Sequence, residues 1–278
     1  MKNLVWLASY PRSGNTWFRI FLSSLFSGNL RGKNLNMLEV DMIANSRMMF
    51  DELTGLKSSE MTMKEINNLR PSVFKMLSDQ ISEPCYLKTH DRFFLNDDGL
   101  PVFPPENSMG CVYIIRNPLD VAVSNVLYFN RFVDEVISNM NCPDNSMHVS
   151  TFNLYPLLEE RMGTWSEHAE SWLRSGNSIH VMRYEDMVRN PFATFSATLE
   201  FLGLHFTDAE ILQALSETSF ENLKKSETEH GFKDKLQSSD AFFRNGKPGS
   251  WETVLTEAQI ERITRDHHDV MARFGYIA

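Results

Sequence analysis

Three groups of residues in this chain have types and spacings that could do chemistry. The first is Arg12, Ser13, Gly14, Asn15 and Thr16, inside residues 10–17, which read Y-P-R-S-G-N-T-W. Pro11 sets the direction of the chain, and Gly14 permits a backbone conformation closed to other residues. A tight turn into a helix aims several backbone N–H groups and the positive end of the helix dipole at one spot. Arg12, Ser13, Asn15 and Thr16 add side-chain donors there, so the natural guest is a phosphate or a similar oxyanion. A plain strand-to-helix turn capped by Ser13 or Thr16 is the alternative. The nucleotide phosphate loop G-x-x-x-x-G-K-[ST] is not met, because the stretch has one glycine and its cation comes first. The second group is Lys88 and His90, two apart and therefore on one face of a strand. An imidazole at the carboxyl end of a strand is placed for proton transfer, since ligands of open α/β sheets sit at those ends. A structural histidine is the other reading. The third group is Arg116 with Ser124 eight residues on. If a helix opens at Asn117-Pro118, Arg116 stands at its mouth and Ser124 about two turns along it. An arginine that only caps a strand end is the plainer reading.

Strands must lead into these groups and helices must follow them. Residues 4–8 form an apolar run with the length of a buried strand. Trp17, Phe18, Ile20, Phe21, Leu22 and Leu25 then recur at helical spacing, and Gly28 offers a stop. Segments 37–50 and 62–82 have loose helical periodicity. Residues 85–90 predict a second strand, and 91–109, with Asp97-Asp98-Gly99 and Pro104-Pro105, a loop. Residues 111–115 predict a buried strand bounded by Gly110 and followed by a helix with Asn117 as cap and Pro118 in its first turn. That helix is expected to continue through the amphipathic stretch 129–140. Residues 141–150 predict loop, and 164–173 a helix holding Trp165 and Trp172. Residues 178–183 predict a fourth strand, with helices at 192–202, stopped by Gly203, at 208–215 and at 257–274. Strand–loop–helix units at 4–28, 110–130 and 179–202 imply an α/β sheet.

Composition narrows the partners. At 278 residues, 42% apolar and 23% charged, the chain reads as a globular protein able to bury a sizeable core. No apolar run approaches the ~18 residues of a membrane span, and no signal peptide precedes the first strand. Cys85, Cys111 and Cys142 are odd in number and lack metal spacing, which suits reduced thiols in the cytoplasm. With 27 Lys and Arg against 36 Asp and Glu, the net charge is −9. Such a surface argues against nucleic acid or an acidic membrane as the main partner. A bound anion would need its positive charge gathered in one cleft.

The stretch at 10–17 resembles the 5′-phosphosulfate loop Y-P-K-S-G-T-T-W of sulfotransferases that use 3′-phosphoadenosine 5′-phosphosulfate (PAPS). Arg12 stands for the usual Lys and Asn15 for the first Thr. Further motifs of that family follow in order. Lys88-Thr89-His90 resembles its K-T-H, and Arg116 with Ser124 its 3′-phosphate pair. Tyr184-Glu185-Asp186 resembles its Y-E-D, Thr218-Ser219-Phe220 its T-S-F, and residues 244–251 its lid R-K-G-x-x-G-D-W. In the lid Arg244, Gly246, Gly249 and Trp251 keep their places. Asn245 replaces a Lys and Ser250 an Asp, with Lys247 nearby as a substitute cation. The family's dimer motif K-x-x-x-T-V-x-x-x-E lacks its Lys and Val here, which argues against dimerisation by that route and leaves the choice between monomer and dimer open.

The resemblance implies a single α/β domain over residues 1–278, a P-loop-like parallel sheet flanked by helices on both faces. It implies a cytoplasmic enzyme of compact, bacterial type. The reaction it implies is transfer of a sulfuryl group from PAPS to a hydroxyl or amine, leaving adenosine 3′,5′-bisphosphate and needing no metal. The acceptor is a small molecule, natural product or glycopeptide. His90 is then the base, and Arg12 and Lys88 meet the charge that builds on the sulfuryl and bridging oxygens. Ser13, Gly14, Asn15 and Thr16 hold the 5′-phosphate. Trp17 stacks on the adenine, Tyr184 contacts the adenosine, and Thr218 and Phe220 border the adenine. Arg116, Ser124, Arg244 and Gly246 hold the 3′-phosphate, with Asn245 in the lid. Arg12 would act by charge alone, so Lys in its place should retain activity. Two other readings stay open: a small-molecule kinase using ATP and Mg²⁺, and a PAPS-binding regulatory protein without activity. Adenosine 3′,5′-bisphosphate should stabilise a sulfotransferase or the regulatory protein against heat, and ATP with Mg²⁺ only a kinase.

Overall fold

The computed structural model describes residues 2–28, 34–150, 152–236 and 239–277. Strand β1 (Leu4–Ser9) is wholly buried and leads through the 10–14 turn into helix α1 (Asn15–Ser27). Helices α2 (Arg47–Thr54) and α3 (Met63–Gln80) follow, then β2 (Cys85–Thr89) and β3 (Ser108–Ile115). Next come α4 (Pro118–Phe129), α5 (Val133–Met140), the short strands β4 (Ser146–Met147) and β5 (Glu160–Arg161), and α6 (Trp165–Leu173). Strand β6 (Ile179–Arg183) precedes α7 (Tyr184–Arg189), α8 (Pro191–Phe201), α9 (Asp208–Glu217) and α10 (Phe220–His230). Helices α11 (Glu257–Asp266) and α12 (His268–Arg273) close the chain. The larger strands form a central parallel sheet in the order β2-β1-β3-β6, with β1 and β2 in parallel register from Leu4–Cys85 to Ala8–Thr89. This is the α/β class expected. No described helix is long and apolar enough to cross a membrane.

Local chemistry sets most boundaries. Gly28 ends α1 in the left-handed conformation, its N–H bonded to Leu25 O. Asn117 Oδ1 accepts from Leu119 N–H at 3.0 Å, with Pro118 opening α4 as expected. Thr62, Thr164, Thr207 and Thr256 each form a capping box with the Glu or Gln three residues on.

Four expectations on elements are corrected. Residues 37–46 are not helical: Lys88 N–H donates to Met42 O and Ala44 N–H to Lys88 O, so the main chain is spent on β2. The 129–140 helix does not continue α4, because Asn130 turns left-handed (φ 52°), a conformation Asn tolerates better than most. Gly110 lies inside β3 rather than before it. The 257–274 helix breaks at His267 (φ −125°), which ends α11 and precedes α12.

The chain divides into two compact units. The first comprises Met1–Tyr10, Met42–Tyr113 and Asn141–Val181. Its core holds Trp6, Phe74, Phe103 and Trp172, with ring centroids 4.9 to 5.9 Å apart and Phe50, Ile66, Val73 and Leu158 in a further cluster. The second comprises Pro11–Asp41, Ile114–Met140 and Met182–Ala278. Phe18, Phe21 and Phe195 pack together in it, the last two at 4.4 Å. Burying an aromatic side chain is worth roughly 2–3 kcal/mol, so these clusters fix the elements that carry the chemistry.

Candidate active site

The geometry of the turn ahead of α1 rests on two residues, Arg12 and Gly14. Arg12 (φ 69°) and Gly14 (φ 107°) both take positive φ, which lets the chain reverse between Pro11 and α1. A Cβ on Gly14 would stand 2.7 Å from the Tyr184 ring, so no larger residue fits. Gly14 is the N-cap of α1 and no side chain caps it, which removes the plain reading of a Ser13- or Thr16-capped turn. Intrahelical bonding begins at Phe18 N–H to Gly14 O, and the positive end of the helix ahead of it suits an anion. Ser13 Oγ is buried without a hydrogen-bond partner among the described residues. Asn15 is buried and Thr16 half-buried at the same helix start. Trp17 packs edge-on against Phe195 and Tyr184 at 5.4 and 6.3 Å, and its Nε1 has no partner among the described residues.

Two aromatic rings hold Arg12. Its guanidinium lies 4.3 Å from the Tyr128 ring centroid and 4.4 Å from that of Phe242. Its Nε–H donates to Ser124 Oγ at 3.1 Å and Nη2–H to Phe242 O at 3.2 Å. Tyr128 is itself fixed by its hydroxyl donating to Asp234 O. Desolvation pushes the Arg12 pKa down to about 10, and the charges of Arg116 and Arg244 push the same way against the pull of Tyr128. Arg116 sits over the Tyr184 ring at 4.3 Å and donates from Nη1 to Arg12 O at 3.2 Å. Its Nε is buried with no partner among the described residues. Mutually repelling cations beside orphaned buried donors fit an anionic group, which would relieve both costs.

The lid residues behave differently from one another. Arg244 is bound to the main chain, Nε–H to Ala241 O at 3.1 Å and Nη2–H to Leu127 O at 2.9 Å, with Ser239 Oγ at 3.1 Å. Asn245 Nδ2–H donates to Ser250 Oγ at 2.9 Å, so the two lid positions that depart from the family's pattern bond to each other. Gly246 (φ 66°) lies against Phe220, whose ring would meet a Cβ at 2.3 Å. Gly249 N–H donates to Asp120 Oδ2 at 2.8 Å. Thr218 is fully buried, its hydroxyl donating to Ala214 O. Arg12 to Trp17, Arg116, Ser124, Tyr184, Thr218, Phe220 and Arg244 to Gly246 all belong to the second unit.

Lys88 and His90 belong to the first unit. His90 stands one residue beyond β2, at the carboxyl end as expected. Its Nδ1 is 2.7 Å from Ser9 O, and a carbonyl only accepts, so Nδ1 carries the proton and Nε2 keeps its lone pair. Its main-chain N–H donates to Glu160 Oε1 at 2.9 Å, and its carbonyl accepts from His168 Nε2 at 3.1 Å. Nδ1 of His168 then accepts from the Tyr113 hydroxyl at 2.9 Å. Burial first, and then the Lys88 charge, hold the His90 pKa well below the usual histidine value. The imidazole is therefore neutral at neutral pH and able to accept a proton. Lys88 is half-buried, and its charge also acts on Glu160 and His148.

Tyr128, Phe242, Glu160 and His148 escaped the sequence reading. No spacing links Arg12 to aromatics more than a hundred residues away, and Glu160 and His148 fall in the part of the chain with the least periodic pattern.

The chain matches the sulfotransferase-domain family model over residues 2–275. It is 25% identical to sulfotransferase 1A1 of Rattus norvegicus over 271 residues, covering 95% of this chain and 83% of that one. It is 24% identical to cytosolic sulfotransferase 15 of Arabidopsis thaliana, covering 95% and 70%. Among solved structures, retinol dehydratase in complex with androsterone and the inactive cofactor PAP has a similar fold, with a TM-score of 0.62 at 19% identity, covering 97% of this chain and 81% of that one.

Proposed function

The chain belongs to the sulfotransferase family and is a PAPS-dependent sulfotransferase, and on that premise we propose that its acceptor is a hydroxyl or amine of a small molecule, natural product or glycopeptide, with His90 as general base. The observation that carries the site assignment is the uncapped start of α1 beside the buried, unpartnered Ser13 Oγ and Arg116 Nε. PAPS supplies an activated sulfuryl group on a phosphosulfate anhydride. Ser13, Gly14, Asn15 and Thr16 bind its 5′-phosphate with main-chain and hydroxyl donors. Arg116, Ser124, Arg244 and Gly246 bind the 3′-phosphate, and Asn245 lies in the lid. Trp17, Tyr184, Thr218 and Phe220 border the adenosine. His90 Nε2 takes the acceptor's proton, and Arg12 and Lys88 stabilise the charge that develops on the sulfuryl and leaving oxygens.

Several observations support the finer points. The family match runs through residues 2–275, in favour of one catalytic domain over residues 1–278. A relative named as cytosolic favours a cytoplasmic place. The androsterone in the fold relative favours a small acceptor. The kinase reading is not favoured, since the chain lacks G-K-[ST].

Radiolabelled PAPS offered with a panel of phenols, sterols, alcohols and amines tests the proposal. The wild type should yield labelled product without added metal, and His90→Gln about a hundredfold less. Full turnover in His90→Gln would remove His90 as the base.

A further inference from the structure

Glu160 is a buried carboxylate, 2% exposed, without an arginine or lysine in ion-pair contact among the described residues. The buried arginine nearby, Arg70, is taken by Asp91 at 2.7 Å. Such a group is costly to keep unless it does something. Its two oxygens face separate groups, only one of them hydrogen-bonded. Oε1 accepts the His90 main-chain N–H at 2.9 Å, and Oε2 lies 3.5 Å from His148 Nδ1. His148 follows β4, whose Met147 is paired with Glu160. It is held with φ 62°, a strained conformation for a residue with a side chain, and its Nδ1 has no hydrogen-bond partner among the described residues. Two costly features thus meet beside the residue read as the base.

We propose that Glu160 is a positioning residue for His90: its Oε1 fixes the His90 main chain where the imidazole reaches Ser9 O, and so selects the tautomer that leaves Nε2 unprotonated. This rests on the reading of His90 as the base. The clamp is closed on its other side by His168, which donates to the His90 carbonyl. The groups facing Glu160 are Asp91, Arg70, Lys88, His148 and the His90 N–H. Burial foremost, and then the Asp91 charge, raise its pKa to about 7, against the pull of Lys88, the His90 N–H and Arg70. Because the folded pKa lies above the ordinary value of 4.5, Glu160 is protonated below about pH 7 and anionic above it. Either form accepts from His90 through Oε1. The protonated form also gains an Oε2–H for the unpartnered His148 Nδ1. A glutamine preserves both contacts and removes the titration, whereas an alanine removes both contacts.

The test is ¹⁵N spectroscopy of the histidine rings in wild type, Glu160→Gln and Glu160→Ala, with the His90 signals assigned from His90→Gln. Calorimetry with adenosine 3′,5′-bisphosphate checks that each variant is folded. Wild type and Glu160→Gln should show His90 as the Nδ1–H tautomer, and Glu160→Ala a tautomer average. Turnover should fall at least tenfold in Glu160→Ala with the KM for PAPS within twofold, and at most threefold in Glu160→Gln. Identical His90 signals in all three proteins would overturn the proposal. Should Glu160→Ala not fold, Glu160→Met, which fills the site without an oxygen to accept the His90 N–H, decides in its place: it should show the tautomer average. The wild-type Nδ1–H tautomer retained in Glu160→Met would overturn the proposal. A wild type that transfers no sulfuryl group while the spectra differ as stated would instead count against His90 as a sulfotransferase base.

Discussion

Arg12 occupies the place of a lysine in the family's loop, and the structure changes what that exchange means. Charge alone would let a lysine stand in. Rings at 4.3 and 4.4 Å on either side, together with the Nε–H bond to Ser124, use the planar fork of a guanidinium. Arg12→Lys keeps the charge and loses the stacking and the fork, so its turnover should fall about tenfold, near the ~1–2 kcal/mol of a desolvated cation–π contact. Arg12→Ala should lose ~3 kcal/mol of transition-state stabilisation, on the scale of one oxyanion donor. Single-turnover rates with saturating PAPS separate the two, and equal rates for Arg12→Lys and the wild type would show that charge is all that matters. The cation itself was legible in the sequence because it sits inside a local motif. Its aromatic partners were not, because Tyr128 lies on α4 and Phe242 beyond α10, and only folding brings them to it.

At the scale of elements, the turns carry the chemistry and the helices hold the turns. Gly246 shows how tightly. With φ 66° and the Phe220 ring where a Cβ would be, Gly246→Ala must push the lid off α10. The affinity for adenosine 3′,5′-bisphosphate should drop at least tenfold. Gly28→Ala, at a similar φ of 70° with nothing within 4 Å, should cost only about 1 kcal/mol of stability and leave affinity alone. Equal affinity losses would assign the Gly246 effect to backbone strain rather than to the clash. The start of α4 was readable because Asn117-Pro118 is a local signal. The T-x-x-E/Q boxes at Thr62, Thr164, Thr207 and Thr256 are equally local, and the helical segments expected from residues 62, 164, 208 and 257 start within a residue of the observed ones. The break at Asn130 was not readable, since apolar spacing runs on through it. Helix α10 was missed because Thr218-Ser219-Phe220 reads as a ligand motif, yet Ser219 is also its cap, accepting from Asn222 N–H.

Over the whole molecule, 36 acidic residues outnumber 27 basic ones, yet the charges of Arg116 and Arg244 both bear on Arg12 within one unit. An acidic protein that keeps such a group beside orphaned donors is built for an anion that its general surface would repel. The α/β class and the order of the motifs were plain in the sequence because each strand–turn–helix unit carries its own apolar run and stop. The division into two compact units was not, since each unit is assembled from three separated segments. The most direct test of the account is calorimetric titration of adenosine 3′,5′-bisphosphate, without metal, into the wild type and Arg116→Ala. The account predicts micromolar binding to the wild type and a loss of roughly a hundredfold in the variant, the scale for removing a desolvated charge partner. No binding to the wild type, or equal affinity in the two proteins, would contradict it.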